Sequence, residues 1–400
     1  MRTRLASVVA ALTGSLVLSA CGTTDSNNSA GASDAGPITL MTVGPVQATG
    51  FSLPSIPMGA QVAVDEINAS GGVHGRKLKL ITCNDQNDPN KAMQCARQAV
   101  KEKVTALVGG LSLFDAQIVP ITERAGIPWV GLTTSSAYTN KNLFLTGSEA
   151  ATILTGVGTA LTGQGCKNVA IVNNTTPVAK TDTVQFTAGV KAGGGRIVGT
   201  FSAPTGSADW APTVAAVLAT HPDCVAASTG PTESGPFVTA LTASDKNIKV
   251  AVPSGGMPAS LVKQLGKTAD GVLVIDTYLP FSSDTTAVKS LRAKVLAAHS
   301  DATLDTFVQT GYTATKIVAK AAAGVSSVDA STLMNALPKV TAFDTGLGPV
   351  IDLSKPIPVT GFDRVFNPNV YVLVAKDGVL RLGEPKPLDV EPALKLLGRG

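Results

Sequence analysis

Three short segments rich in glycine, serine and threonine carry the side chains best suited to bind a ligand. They are residues 44–51, 109–114 and 132–136, and each follows an apolar run typical of a buried strand. Their backbone N–H groups and hydroxyls are donors that suit a carboxylate or another anionic oxygen group. Any single hydroxyl could instead be a simple helix cap. Together, the three segments predict a binding edge for a polar ligand.

The sequence offers little that could perform catalysis. The three histidines, His74, His221 and His299, lie outside the glycine-rich segments, so general-base chemistry has poor support. The chain has no GxSxG, HExxH or GxxxxGK pattern. It also lacks a CxxC pair and any histidine next to a cysteine, which argues against a metal site. We therefore predict a binding protein that is not an enzyme and needs no cofactor or metal.

Alternating strand and helix patterns position these segments. Residues 38–43, 77–82 and 104–108 have strand character, and small or apolar residues recur at helical spacing after Gly59 and after Asp88-Pro89. This βαβαβ order predicts a parallel sheet with right-handed crossovers. A similar series begins near Val169, so the predicted fold is α/β, with two doubly wound parallel-sheet lobes. Ligands of such sheets bind beyond the carboxyl ends of the strands, where the glycine-rich segments lie.

Length and composition agree with two domains that bury a large core. The chain has 400 residues, of which 44% are hydrophobic and 15% are charged. Its net charge of +4 comes from interspersed signs, and no basic run points to nucleic acid. Aromatic residues make up only 4%, which is few for a site that stacks sugars or bases.

The N-terminus has the pattern of a secretory signal. Arg2 and Arg4 precede an apolar run over residues 5–18 that is too short to span a bilayer. The sequence Leu-Ser-Ala-Cys that ends at Cys21 resembles a bacterial lipobox. That resemblance implies a signal peptide over residues 1–20 and a lipid on Cys21, which would hold the protein at the extracytoplasmic face of the membrane. The alternative is an ordinary secretory signal with a chance cysteine. Residues 21–36 predict a flexible tether.

Four further cysteines remain, and outside the membrane an even number favours disulfides. Cys83 ends a strand and Cys95 lies in the following helix, while Cys166 and Cys224 each precede a strand. We predict the pairs Cys83–Cys95 and Cys166–Cys224. The alternative is four buried free thiols.

The first half of the chain also resembles a known family. The run AVDEIN-x-x-GG-x-x-GRKL, followed by NDQ-x-DP and VGG, is similar to the first lobe of branched-chain amino acid binding proteins, which serve ABC importers. The resemblance implies type 1 periplasmic binding protein lobes with three crossings, near Thr146, Asp276 and Thr345. It places the first lobe at residues 37–145 and 277–344, the second at 146–276 and 345–385, and a C-terminal tail at 386–400.

The same resemblance supplies site residues. Two loops of the family hold the ligand carboxylate, and Ser135 falls at a hydroxyl position of one of them. Ser254 stands where the family has an acid that binds the ligand ammonium; Glu233 or Asp276 could substitute for that acid. The expected ligand-binding residues are Phe51, Ser52, Leu111, Ser112, Leu113, Thr133, Thr134, Ser135, Thr175, Thr176, Thr229, Glu233, Ser254, Asp276 and Phe307.

These observations predict a lipid-anchored, monomeric receptor that closes two lobes over a small solute and presents it to ABC permease subunits. We expect a small or medium carboxylate, or an apolar molecule with a polar head, rather than a standard branched-chain amino acid. The alternatives are a ligand-sensing domain that signals to a partner protein and a surface antigen with a vestigial cleft.

Overall fold

The computed structural model describes residues 36–48, 52–134, 138–147, 149–176 and 178–398. The predicted signal peptide, Cys21 and nearly all of the predicted tether therefore lie outside the described residues, as do Phe51 and Ser135. Within the described part of the chain, no helix is both long and apolar enough to cross a membrane.

Two separate sheets form the frame of the molecule. The first has five parallel strands in the order β2-β1-β3-β4-β5, and the second has the order β12-β11-β10-β9-β8-β6-β7, with β13 paired to β11. In the second sheet, β11 runs antiparallel to β10 and β12. The strands are β1 (Ile38–Gly44), β2 (Leu78–Asn84), β3 (Ala106–Val108), β4 (Trp129–Gly131), β5 (Leu143–Leu145), β6 (Asn168–Asn174), β7 (Arg196–Ala203), β8 (Cys224–Ser228), β9 (Lys249–Pro253), β10 (Leu273–Asp276), β11 (Asn369–Lys376), β12 (Val379–Leu382) and β13 (Leu388–Asp389).

Helices cover both faces of each sheet, which confirms the predicted pair of doubly wound lobes. The helices are α1 (Ser55–Ala69), α2 (Pro89–Lys101), α3 (Asp115–Arg124), α4 (Ala150–Gly163), α5 (Ala179–Ala192), α6 (Ala211–Leu218), α7 (Pro231–Ser244), α8 (Ala259–Leu265), α9 (Thr286–Ala298), α10 (Thr306–Ala323), α11 (Ala330–Ala336) and α12 (Glu391–Leu397). Helices α1 and α10 pack on one face of the first sheet and α2 on the other. Helices α4 and α5 pack on one face of the second sheet, and α6 and α8 on the other.

Local sequence signals explain several of these boundaries. Asp88 caps α2 by accepting hydrogen bonds from the N–H groups of Asn90 and Lys91, at 2.8 and 3.0 Å, and Pro89 is the first helical residue. Glycines allow α1 and α10 to pack closely: a Cβ added at Gly59 or Gly311 would lie about 2 Å from a carbonyl oxygen of the other helix. This contact fixes the N-terminal end of α10, which reaches the space between the lobes.

The chain crosses between lobes three times, and the crossings are hydrogen-bonded to one another. The first lies between β5 and α4, and the second follows Asp276 at the end of β10. The hydroxyl of Thr277 donates to the carbonyl of Gly147 at 2.7 Å, and the side-chain amide of Asn367 donates to the carbonyl of Thr146 at 3.3 Å. A junction of several joined strands is the arrangement of a hinge.

The third crossing differs from the expectation near Thr345 and lies between Phe366 and β11. Residues 345–366 stay with the first lobe because Ile351, Leu353 and Phe366 are buried in its core. Phe366 also donates its backbone N–H to the carbonyl of Leu145 at 3.0 Å. Within residues 348–353, Ile351 forms an isolated β-bridge with Phe343.

The C-terminal segment also differs from the tail that was expected at residues 386–400. Strand β13 pairs with β11, and α12 packs against α4 and α5 of the second lobe. Val390, Ala393 and Leu394 are fully or almost fully buried. Apolar residues at helical spacing therefore make residues 388–397 part of the second lobe.

Each lobe contains one disulfide, and these are the two pairs that the sequence predicts. Cys83 at the end of β2 is bonded to Cys95 in α2, with 5.7 Å between their Cα atoms. Cys166 is bonded to Cys224, with 6.0 Å between their Cα atoms, because β6 and β8 are neighbouring parallel strands.

Candidate ligand-binding cleft

A cavity of about 250 Å³ lies between the two lobes, at the ends of several strands and helices. Its walls come from the loops after β3, β4 and β9 and from the first turns of α4, α5 and α10. We call this cavity the cleft. It is lined by Leu111, Leu113, Leu132, Thr133, Thr134, Thr277, Thr306, Phe307 and Thr310 on the side of the first lobe and hinge, and by Ala150, Ile153, Leu154, Val178, Asp182, Ser228, Pro253, Ser254 and Gly255 of the second lobe.

The cleft is apolar over much of its surface. Leu113 from the first lobe and Val178 from the second are 50% and 44% exposed, although both are large apolar residues that line it. A ligand with an apolar body would cover this surface. The remaining wall consists mainly of hydroxyls and of one carboxyl group.

The two lobes approach each other across the cleft at Gly255 and Phe307. A Cβ added at Gly255 would lie 3.7 Å from Cζ of Phe307, an ordinary van der Waals distance. Phe307 is held in the first turn of α10, where its backbone N–H donates to Asp305 at 3.0 Å. Close packing also fixes the first-lobe loop that contains Leu111, because a Cβ at Gly44 would lie 2.3 Å from the carbonyl oxygen of Leu111.

The structure brings six of the expected residues together around the cleft. They come from four separate places in the sequence: the loop after β3, the loop after β4, the loop after β9 and the start of α10. These six residues are Leu111, Leu113, Thr133, Thr134, Ser254 and Phe307.

Three other expected residues turn away from the cleft into local hydrogen bonds. Ser112 is buried and donates its hydroxyl to Asp85. Thr229 shares a hydrogen bond of 2.7 Å with the hydroxyl of Ser234. Glu233 accepts from the N–H of Gly206 at 2.8 Å and from the neighbouring hydroxyl of Thr232. Glu233 is therefore a structural acid of the second lobe and does not line the cleft.

Three further candidates do not line the cleft. The hydroxyl of Ser52 donates to the carbonyl of Val46 at 3.1 Å. Thr175 and Thr176 are exposed after β6, and the backbone N–H of Thr175 donates to Ala203 at 2.9 Å. No side chain of these three residues contributes to the described cleft wall.

Asp276 is a hinge residue. Burial raises its pKa to about 6, although hydrogen bonds from the N–H of Tyr278 and the hydroxyls of Thr306 and Ser254 lower the pKa in part. The bond from Thr306 is 2.7 Å long and joins the second lobe's β10 to the first lobe's α10. Burial also raises the pKa of Asp305, the cap of α10, to about 6. Both carboxyls line a second cavity of about 210 Å³, which shares Ser254 and Thr306 with the cleft.

Asp182 was missed by the sequence analysis, although it is the carboxyl group that lines the cleft. It lies in the first turn of α5 and is 9% exposed. Burial raises its pKa to about 6, although one hydrogen bond from Ser228 lowers the pKa in part. Its position in the first turn of the helix after β6 was the available signal, because that turn begins at the carboxyl edge of the sheet.

The arrangement defines a class of protein that binds a small molecule between two hinged lobes. The described residues contain no group of three or more histidine, cysteine, aspartate or glutamate side chains placed to hold a metal ion. The described residues of the cleft wall include no histidine, cysteine or lysine that could act as a nucleophile or activate a neighbouring hydroxyl.

Comparisons with known proteins give the family. The sequence pattern described as "Periplasmic binding protein" matches residues 38–378. The Leu/Ile/Val-binding protein of Escherichia coli (strain K12) is 24% identical over 302 residues, which cover 73% of this chain and 80% of that protein. The chain therefore belongs to the periplasmic binding protein family, whose members bind solutes and are not enzymes.

Solved structures agree with the fold. A fatty acid ABC transporter substrate-binding protein from Thermomonospora curvata has a TM-score of 0.75 and 18% sequence identity, over 90% of this chain and 95% of that chain. A solute-binding protein from R. palustris in complex with benzoate has a TM-score of 0.71 and 18% identity, over 88% of this chain and 98% of that chain. Both share the two-lobed architecture.

Proposed function

We propose that this protein is the extracytoplasmic solute-binding component of an ABC importer. The cleft is the observation that carries the proposal: both lobes line one largely apolar cavity beside a hydrogen-bonded hinge. A ligand that contacts both walls is bound more tightly in the closed state, and this difference in affinity drives closure. The ligand class is a small carboxylate or an amino-acid-like molecule.

The names of the relatives support the importer over the ligand-sensing alternative. The related proteins are named as Leu/Ile/Val-binding, fatty acid transporter and benzoate-binding proteins. ABC permease subunits would be the partners of the closed, loaded form, and the protein would act as a monomer. We also propose that Cys21 carries the lipid that holds the protein at the membrane. Replacing Cys21 with alanine should then move the protein from the membrane fraction to the soluble fraction.

A thermal-shift screen combined with small-angle X-ray scattering tests the proposed capture. Leucine, benzoate and octanoate would be tried first, followed by a wider panel of small acids, amines and amides. A true ligand raises the melting temperature, because ligand at a hundredfold above its Kd stabilises the native state by about 2.7 kcal/mol. It should also reduce the radius of gyration as the lobes close.

A cleft-filling variant makes this test specific. Gly255→Trp places a large side chain opposite Phe307, so it should fold normally and bind no ligand. The matched control is Leu296→Trp on α9, at an exposed position outside the cleft wall. If ligands stabilise Gly255→Trp as much as the wild type, the cleft is not the site. If deletion of the gene leaves uptake of the identified solute unchanged, the sensing function is correct instead.

A further inference from the structure

Asp182 is a buried carboxyl group with few partners inside the cleft. It is 9% exposed, and among the described residues its recorded hydrogen bond is from the hydroxyl of Ser228 to Oδ2, at 2.9 Å. None of the ion pairs between described residues includes Asp182. A carboxylate removed from water needs a partner to offset the lost hydration. A cation or a strong hydrogen-bond donor on a ligand would therefore stabilise the Asp182 carboxylate.

The hydroxyls around the cleft present acceptors to a ligand. A hydroxyl has one hydrogen to donate, so a hydroxyl that already donates within the protein can only accept from a ligand. Among the described residues, seven hydroxyls line the cleft, and six of them are committed in this way. Thr133 donates to Thr134, Ser228 to Asp182, Ser254 and Thr306 to Asp276, Thr277 to Gly147 and Thr310 to Thr306.

Two backbone donors near the cleft are committed as well. The N–H of Ser254 donates to the carbonyl of Ile275 at 2.9 Å, and the N–H of Phe307 donates to Asp305. Ser254 and Phe307 therefore have no free backbone N–H to offer a ligand carboxylate. No lysine, arginine or histidine contributes to the described cleft wall to replace them.

Other acids add to the negative character of this region. Burial raises the pKa of Tyr138, and the nearby carboxyls Glu149, Asp115 and Asp182 raise it further. Tyr138 thus lies within electrostatic reach of three carboxyl groups. An ionised carboxyl at the cleft disfavours a ligand carboxylate and stabilises a ligand ammonium.

We propose that Asp182 binds the cationic head of the ligand, so that the cleft selects a small ammonium compound with an apolar body over a carboxylate of the same shape. This inference rests on the proposed function and replaces the carboxylate of its ligand class with an ammonium head group. The ammonium donates to Asp182 and to the lone pairs of the committed hydroxyls, and the apolar body contacts side chains such as Leu113, Leu154 and Val178.

Three compounds that share a 3-methylbutyl body and differ in the head group provide the test. They are 3-methylbutylamine, 4-methylpentanamide and 4-methylpentanoate, titrated calorimetrically at pH 7.5 into the full mature protein. The wild type should bind the amine at least tenfold more tightly than the acid, with the amide between them. Asp182→Asn should weaken amine binding at least tenfold and leave acid binding unchanged or stronger.

Two controls separate charge recognition from general effects. Asp182→Glu keeps the charge and should retain part of the preference for the amine. Asp363→Asn changes the net charge equally at an exposed position outside the cleft wall and should bind as the wild type does. Melting temperatures of all variants verify that they fold.

The inference is overturned if the wild type prefers the acid or if Asp182→Asn keeps its amine affinity. It is also overturned if none of the three compounds binds. The proposed function survives each of these results, because the wider solute screen and the Gly255→Trp variant test it separately.

Discussion

Asp182 in the cleft and Asp276 in the hinge are two buried carboxyls with the same raised pKa and different surroundings. Burial raises the pKa of each to about 6. Asp276 accepts from Thr306 at 2.7 Å and from the N–H of Tyr278 at 3.0 Å, and Ser254 also donates to it. Asp182 has the single recorded bond from Ser228. Burial alone therefore does not indicate a role; the number of protein partners separates a structural acid from one available to a ligand.

The largest expected effect comes from removing the hinge acid. Asp276→Ala leaves the N–H of Tyr278 and the hydroxyl of Thr306 without their acceptor, and each unsatisfied buried group costs about 1–3 kcal/mol. We expect the free energy of unfolding to fall by roughly 3 kcal/mol, measured by urea denaturation at pH 6. Asp276→Asn keeps an acceptor oxygen and should lose less than half as much. Equal losses for the two variants would contradict the hydrogen-bonding role.

Asp182→Asn should change the pH dependence of stability more than stability itself. The folded pKa of about 6 lies above the ordinary aspartate pKa of 3.8, so the native state holds the proton more tightly than the unfolded chain. The contribution of Asp182 to the stability of the folded state is thus present below about pH 4 and is lost as pH rises through 6.

Between pH 4.5 and pH 7.5, the free energy of unfolding of Asp182→Asn should therefore rise by about 2 kcal/mol relative to that of the wild type. The groups that face or lie near Asp182 are Ser228, Tyr138, Glu149 and Asp115, and all of them remain in the variant. Urea denaturation of both proteins at the two pH values isolates the Asp182 contribution. Parallel stability curves for the two proteins would show that Asp182 is not a strained buried acid.

A smaller effect is expected from the hydroxyl that supports Asp182. Ser228→Ala removes the hydrogen bond that opposes the raised pKa of Asp182. The pKa should rise further, and amine binding at pH 7 should weaken several-fold, by about 1 kcal/mol. The same variant at pH 8.5 should recover part of the loss, because Asp182 is again ionised. An equal loss at both pH values would assign Ser228 to packing instead.

The smallest effect is expected at an acid whose pKa moves in the opposite direction. Burial alone would raise the pKa of Glu66, but hydrogen bonds from Lys294, Lys316 and Tyr312 lower it to about 2. Its side chain is 28% exposed, so solvent weakens these ion pairs.

Glu66→Gln should therefore destabilise the protein by only about 0.5–1 kcal/mol at pH 7. Because the folded pKa is depressed, this stabilisation is present above about pH 4.5 and disappears as pH falls toward 2. Thermal unfolding of both proteins at pH 7 and pH 2.5 measures the difference. A loss that persists at pH 2.5 would show that Glu66 acts through packing.

The two-lobed architecture was predictable because its signals are local. The Asp88-Pro89 cap, the alternation of strands and helices and the spacing of Cys83 and Cys95 all act over short stretches of sequence. The third crossing was not predictable in this way, because residues 345–366 have little regular structure. They are held by burial of Ile351 and Leu353 against a distant sheet.

The cleft was only partly predictable for a related reason. Leu111, Thr133 and Ser254 follow strands, and strand ends meet at one edge of a sheet. Ile153 and Leu154 line the cleft because α4 faces the first lobe, which depends on how the lobes meet. Likewise, local sequence could not show that Ser112 donates to Asp85 or that Glu233 is held by Gly206.

Identification of the solute that the protein retains during native purification tests the central claim most directly. Native mass spectrometry would compare the wild type with Asp182→Asn and Gly255→Trp. We predict that the wild type carries one small ammonium-bearing solute and that both variants are empty. A solute without a basic nitrogen, bound equally by the wild type and Asp182→Asn, would contradict this account of the cleft.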